Sequence, residues 1–313
     1  MLRYWLNNLI IFIVFCFAVL LYPASLSAES VPQLKWLYTI DGYGDHDFFQ
    51  EPQGIWFDSI HNELLIADTG NNSIGIFDSN GRLIFRFGAK RRVSSPMSVV
   101  TDSSGNIYWS EINTLKVKKD DFRGEPIQEF NFSQYTEGQN VIVPGKLYID
   151  KSGNLYMIDR GNGQVVKLNS KGNFISILNG MKDSHLQGEQ FADLEITKDS
   201  TLYLLSHVGT AVYVFDSQNH LIRNFGEHGN LDMNVSFPTG LAIGPKGRIW
   251  IVDNFQNRLK VFSPEGEYLF QLGVTGKGDG QFYFPVDLTF DDQNHLYVLE
   301  KGTNRVQVFE VLE

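Results

Sequence analysis

The sequence predicts an all-β protein: a six-bladed β-propeller of four-stranded antiparallel blades, its ring closed by an N-terminal strand that completes the last blade. Three observations carry this. The chain repeats itself roughly every 46 residues, a spacing that marks one supersecondary unit copied along the sequence. Each unit contains short apolar runs separated by Gly, Asn and Pro turns, with no sustained 3.6-residue period. The last unit is one strand short, and a spare strand-like segment precedes the first.

The N-terminus lies outside the repeat. Arg3 is its only charge before Glu29, and Leu9 to Leu21 is an unbroken apolar run of 13 residues, followed by Pro23, Ala24, Ser25, Ser27 and Ala28. A basic start, a short apolar run and a small-residue exit read as a secretory signal over residues 1–28, cut between Ser27 and Glu29. The other reading is an uncleaved anchor, against which the run falls short of the roughly 20 residues needed to span a bilayer. Cys16 is preceded by Phe15 rather than a small residue, so lipidation is not expected. The expected location is extracytoplasmic, periplasmic or secreted, with membrane attachment only if the segment stays uncleaved.

The remaining chain, residues 29–313, forms one propeller domain and contains no cysteine, so its stability must come from its core rather than from disulfides. A domain of this size buries about 75% of its unfolded surface, which makes that feasible. The formal charge is −10, and −11 without Arg3. An acidic surface disfavours nucleic acid and anionic membrane as partners. The stretch from Lys90 to Arg123 departs from this balance with Lys90, Arg91, Arg92, Lys116, Lys118, Lys119 and Arg123, read as the solvated face of one repeat.

The segment Leu34 to Ile40 with the following DGYGDHDFFQEP matches Tyr268 to Leu272 with GVTGKGDGQFYFP, so it supplies the outer strand of the last unit. Closing the ring in this way removes the open sheet edge. The units then open at Pro52, Pro96, Pro144, Phe191, Pro238 and Pro285. The fifth is the clearest. Leu241 and Ile243 alternate, Pro245-Lys246-Gly247 turns, Ile249 to Val252 runs apolar, and Asn254 to Asn257 turns. Leu259-Val261-Phe262 follows, then Pro264-Glu265-Gly266 and Tyr268-Phe270-Leu272. Four strands of this kind make a meander, and meanders repeated radially make a propeller. The last unit has strands only around Val286–Phe290, Leu296–Leu299 and Arg305–Phe309.

The runs Ile66 to Leu83 (IADTGNNSIGIFDSNGRL), Ile251 to Gly266 (IVDNFQNRLKVFSPEG) and Leu299 to Glu310 (LEKGTNRVQVFE) share one strand-turn-strand pattern. With the linker GKGDGQFYFP (Gly276 to Pro285) and the blade-opening prolines, the chain resembles the NHL-repeat family of six-bladed β-propellers from about Leu34 to Glu313. Units two and four depart, with Ser110-Glu111-Ile112-Asn113 in place of the glycine-bearing turn and Phe191 in place of proline. The family holds peptide-amidating lyases, protein- and RNA-binding modules and extracellular sensor domains, so the resemblance implies the fold and leaves the activity open. Its amidating lyases bind zinc through histidines at the channel, and here no blade-opening strand carries one.

Second strands end in Asp68, Glu111, Asp159, Ser206, Asp253 and Glu300, read as caps on the amides of the turns that follow them. The first strands line the channel, where alignment puts Gly54, Ser98, Lys146, Asp193, Gly240 and Asp287 at one equivalent position near its mouth. Ser98, Lys146, Asp193 and Asp287 are candidate ligand-binding residues there. No cofactor is otherwise expected, and the metal candidate is a divalent cation such as calcium at Asp193 and Asp287, since carboxylates suit hard cations. The bland alternative is a water-filled channel with one inter-blade ion pair.

His46, His185, His207 and His228 fall on the face of the interblade linkers, and His61, His220 and His295 on the opposite face. No HExxH, GxSxG or P-loop pattern is present. Phe49, Phe237, Phe282 and Phe284 recur beside blade-opening prolines and read as plugs between blades. Phe48, Trp109, His207 and Phe255 do not recur, which makes them candidates for a binding platform on the linker face. These readings converge on an extracytoplasmic binding scaffold for a protein, peptide or carbohydrate partner. The alternative is a metal-assisted lyase or hydrolase with its cation at Asp193 and Asp287.

Overall fold

The computed structural model describes residues 31–88, 92–132, 141–179, 186 and 188–312. The expected signal segment 1–28, Lys90, Arg91 and His185 lie outside the described residues. Six four-stranded antiparallel sheets follow one another in chain order. Their inner strands are Gly54–Asp58, Pro96–Thr101, Pro144–Ile149, Phe191–Ile196, Pro238–Ile243 and Pro285–Phe290, each beginning at or just after an expected unit opening. Gln33–Ile40 pairs antiparallel with Arg305–Leu312 and becomes the outer strand of blade six. The closing register sets Trp36 opposite Phe309 and Ile40 opposite Val306, and Lys35 meets Glu310 at 2.8 Å.

The core is six separate apolar layers, one between each pair of neighbouring blades. Leu65, Ile74, Ile76 and Phe87 of blade one pack on Val99, Ile107 and Trp109 of blade two. Ile55, Phe57, Leu64 and Phe77 of blade one pack on Tyr297, Leu299 and Val308 of blade six. A blade is therefore covered on both faces, which is why its second strand reads as a continuous apolar run. Ile249, Trp250, Ile251 and Val252 are all fully buried, two facing each neighbour. Phe49 and Phe282 are buried as linker plugs.

The turns between third and fourth strands share one device. Asp78, Asp121, Asn169, Asp216 and Ser263 each accept the backbone N–H groups two and four residues on, at 2.8–3.2 Å. Three residues after each stands a position with positive φ: Gly81, Gly124, Gly172, Asn219 and Gly266. Only glycine and, at lower frequency, asparagine adopt that conformation without a steric penalty. The turn chemistry written in the repeat thus sets where each outer strand begins.

The acids that end the second strands act chiefly on the linkers rather than, as expected, on the amides of the turns that follow. All are buried, and each reaches back to hold the linker entering its own blade. Asp68 accepts the Gln50 N–H at 2.8 Å, Glu111 that of Ser94 at 2.9 Å, Asp159 that of Val143 at 2.8 Å, Asp253 that of Ser236 at 2.8 Å and Glu300 that of Tyr283 at 2.8 Å. Asp159 and Asp253 also take an amide of the following turn, from Gly161 and Gln256. Blade four has only Ser206 at this place, and there the linker brings the carboxylate: Glu189 accepts from the Ser206 hydroxyl and, at 2.7 Å, from Tyr213.

Candidate functional site

The equivalent channel position forms a ring with alternating roles. Ser98, Asp193 and Asp287, on blades two, four and six, each accept the N–H of the residue that follows this position in the next blade. The bonds run from Leu147 to Ser98 at 3.1 Å, from Leu241 to Asp193 at 2.9 Å and from Ile55 to Asp287 at 2.9 Å. Gly54 and Gly240 occupy two of the receiving blades because a side chain would collide: a Cβ at Gly54 would lie 2.5 Å from the Met97 carbonyl oxygen, and one at Gly240 2.9 Å from the Cα of Asp287. The third receiving blade carries Lys146. Its ammonium hydrogen-bonds Asp287 on the opposite blade and lies 3.5 Å from Asp193.

Burial acts against every charge in this cluster. It pushes Asp193 up to about 7, with Lys146 opposing and Asp287 adding to the rise. Asp287 rises for the same reason, again against the pull of Lys146. Lys146 is itself disfavoured by burial, yet the two carboxylates outweigh that and hold its ammonium above the ordinary lysine range. The donor set suits a divalent ion poorly. Oδ2 of each aspartate already serves both an amide and the ammonium, and both Oδ1 atoms accept their own chain's next amide, at 2.9 Å from Leu194 and 3.0 Å from Leu288.

This ring is the deep end of a cavity of about 840 Å³ that opens on the face of the turns between first and second strands, opposite the interblade linkers. Two residues further along each inner strand stand Trp56, Val100, Tyr148, Glu195, Ala242 and Thr289. The Trp56 and Tyr148 rings, on blades one and three, meet edge to face with centroids 5.3 Å apart, whereas blades five and six carry small side chains here. Trp56 is fixed by its Nε1–H donating to Thr101 at 3.0 Å.

Glu195 is the residue the sequence reading missed. Burial first, then the neighbouring Asp193, pushes its carboxyl up to about 8. The Tyr148 hydroxyl lies 3.5 Å away but donates to the Ile196 carbonyl at 2.7 Å, leaving Glu195 without a committed donor. The signal available was a period-two one: Glu195 follows Asp193 on the same face of a channel strand.

On the linker face the candidates divide. His207, Phe237 and Phe255 form a three-ring stack, His207 on Phe237 at 4.7 Å and Phe237 on Phe255 at 4.5 Å, with interplanar angles of 11° and 16°. Phe255 is 63% exposed and Phe48 54%. Trp109 does not join them. It is fully buried against Phe87, and Nε1–H donates to Glu111 at 3.2 Å, because both faces of blade two are covered by its neighbours. Phe237, read as a plug, is instead the centre of the stack. Burial lowers the basicity of His207, with His228 nearby adding to the effect.

On the other face His61 lies 2.8 Å from Asp58, His220 3.1 Å from Asp216 and His295 2.8 Å from Asp291. Among the described residues no group of three or more His, Cys, Asp or Glu is placed to hold a metal ion, and no helix is long and apolar enough to cross a membrane. The basic stretch is largely paired internally: Arg92 with Asp120 at 2.8 Å, Lys116 with Glu129 at 2.7 Å, Lys118 with Glu111 at 2.8 Å and Lys119 with Asp102 at 3.1 Å.

The architecture defines the class, a six-bladed β-propeller with an open central cavity. A family model described as a 6-bladed beta-propeller matches residues 243–312, the end of blade five's first strand through blade six. No curated protein sequence matches the chain. Among solved structures it is similar to a Bacteroides thetaiotaomicron protein of unknown function, with TM-score 0.68 and 14% identity over 90% of this chain and 76% of that one. It is similar to a streptogramin B lyase, TM-score 0.61 and 14% identity over 90% and 97%, and to a putative gluconolactonase, TM-score 0.62 and 14% identity over 93% and 96%. At these identities the likeness shows the fold alone.

Proposed function

We propose that this protein is an extracytoplasmic binding scaffold that holds a peptide or protein segment on the linker face of the propeller. The observation that carries the reading is the His207–Phe237–Phe255 stack, a rigid aromatic ladder whose outer ring stands in solvent. Aromatic anchors of this kind give large contact area for little ordering cost. Around the ladder, on the same face, Val208, Leu231, Met233 and Phe284 are also exposed. Apolar neighbours of this kind favour the apolar side chains of a peptide. The apolar run at the N-terminus supports export, and the repeat pattern supports an NHL-type assignment for the blades.

The lyase or hydrolase reading, with a cation at Asp193 and Asp287, has less support. An ammonium already takes the place between these carboxylates, so a metal ion there would have to displace Lys146.

Selection of a displayed random-peptide library, with a glycan array in parallel, tests the proposal. Enrichment of apolar peptides on the wild-type protein, lost on Phe255→Ser, is the expected outcome. Enrichment indifferent to Phe255, or retention of glycans with no peptide enriched, overturns it.

A further inference from the structure

The central cavity is independent of the linker face and has a chemistry of its own. Its wall carries eight carboxyl side chains and three lysines, with no arginine or histidine. A cleft with an excess of one sign of charge draws counter-ions, here cations. Of the three lysines, Lys146 at the floor is committed to Asp193 and Asp287, while Lys151 and Lys198 stand in the turns at the rim.

Among the described residues, Glu195 is therefore a carboxyl on the cavity wall with no ion-pair partner of its own, its one hydrogen bond a long 3.5 Å contact from a Tyr148 hydroxyl that lies closer to the Ile196 carbonyl. Beside it on blade three is Tyr148, whose ring meets that of Trp56 on the opposite blade, and on its other side the small side chains of Ala242 and Thr289 leave the lumen open. A half-buried carboxyl on a cavity wall beside aromatic rings is complementary to an organic cation. An anion would meet the excess of carboxylates. A neutral polar molecule would gain less than a cation from the excess of carboxylates and from the faces of the aromatic rings.

We propose that the central cavity binds a small molecule through a primary ammonium group, its charged head on the Glu195 carboxylate and its carbon skeleton along Trp56 and Tyr148. The volume, about 840 Å³, is that of a small-molecule site. The state of Glu195 supports the assignment: it rises to about 8 because its charge is poorly compensated, and a bound ammonium supplies the compensation. The titratable and charged groups around it are Asp193, Asp287, Lys146 and Tyr148. Asp193 and Asp287 oppose its ionisation and Lys146 favours it. Binding therefore releases a proton near neutral pH, and affinity climbs as pH rises towards the value at which Glu195 ionises unaided.

Isothermal titration calorimetry with n-butylammonium and its uncharged analogue n-butanol tests the site. We expect n-butylammonium, which stays charged throughout, to bind about tenfold or more tightly at pH 8.5 than at pH 6.5. It should release protons to buffer at the lower pH, while n-butanol gives no heat of binding. Glu195→Gln should weaken binding at pH 8.5 by at least about tenfold and flatten the pH profile. The proposal is overturned if n-butanol binds as well as n-butylammonium, if n-butylammonium does not bind, or if its pH profile on the wild-type protein is flat. Retention of a neutral hexose in place of the amine overturns it as well. The wild-type comparison stands whether or not the variant folds, and none of these outcomes depends on the linker-face ladder.

Discussion

Lys146 and Asp287 sit on opposite blades, three and six, and their side chains meet across the channel in a direct ion pair. Asp287 also holds the Ile55 amide of blade one, so a single carboxylate connects three blades at the axis of the ring. Asp193 makes the parallel connection between blades four and five and shares the same ammonium. The channel floor is thus a brace formed from the residues that sequence alignment singled out as a possible site.

Replacing Lys146 by Met should leave two buried carboxylates facing one another without a cation. Removing one partner of a buried pair costs about 3–5 kcal/mol, far more than an exposed ion pair such as Lys35–Glu310. Urea unfolding of the variant should show a loss of that order. A loss below about 1 kcal/mol would mean the pair is not the brace described.

Glu195 and Asp193 make stability fall with rising pH. Their folded values, about 8 and about 7, lie above the ordinary 4.5 and 3.8, so the folded state binds their protons more tightly than the unfolded chain does. That contribution is fully present below the ordinary values and is lost as pH climbs through the window from about 4 to about 8. The melting temperature should therefore drop between pH 5 and pH 8.5, and Glu195→Gln should shrink the drop by about 5 °C or more. His207 works the other way, its lowered basicity giving stability as pH rises, so the difference between the two proteins is the quantity to read. An identical pH slope in both would refute the assignment to Glu195.

The substitution in blade four can be tested at Glu189. Its carboxylate replaces the strand-end acid of the other blades, holding Ser206 and Tyr213. Glu189→Ala removes the acceptor of the Tyr213 hydroxyl and leaves Ser206 only the Val208 and Gln190 carbonyls, a cost of about 1–3 kcal/mol. Adding Ser206→Asp should recover part of it, since aspartate is the residue that does this work in blades one, three and five. No recovery would mean that the two arrangements are not equivalent.

Deleting Gln33–Ile40 should open the ring. Blade six would lose its outer strand, expose the Arg305–Leu312 edge and uncover Val306, Val308 and Phe309. We expect a lower melting temperature together with concentration-dependent association, because an unpaired edge recruits other chains. A monomer melting at the wild-type temperature would refute closure by this strand.

Much of the fold was legible because the blade is specified locally. Turn residues at fixed offsets, such as Asp78 with Gly81 and Ser263 with Gly266, recur in sequence as they do in space. The spare N-terminal strand could be matched to the missing one by its following linker. Side-chain depth was less legible. Trp109 is non-recurring, which made it a surface candidate, but its burial follows from blade one packing over it, a contact between repeats. Glu195 escaped because unit four is degenerate, and because an acid in a strand declares itself only when the strands converge on a cavity. The linker-bound acids show the same limit. Asp68 and Gln50 are 18 residues apart, and only the completed blade brings carboxylate to amide.

Native mass spectrometry of the gently purified protein, with and without chelator, most directly separates a braced binding scaffold from a metal-dependent catalyst. With Lys146 between Asp193 and Asp287, the account predicts the polypeptide mass alone, with no chelator-sensitive excess in either the wild-type protein or Asp193→Asn. An excess mass of a divalent ion, removed by chelator and absent from Asp193→Asn, would contradict it and restore the channel floor as a metal site.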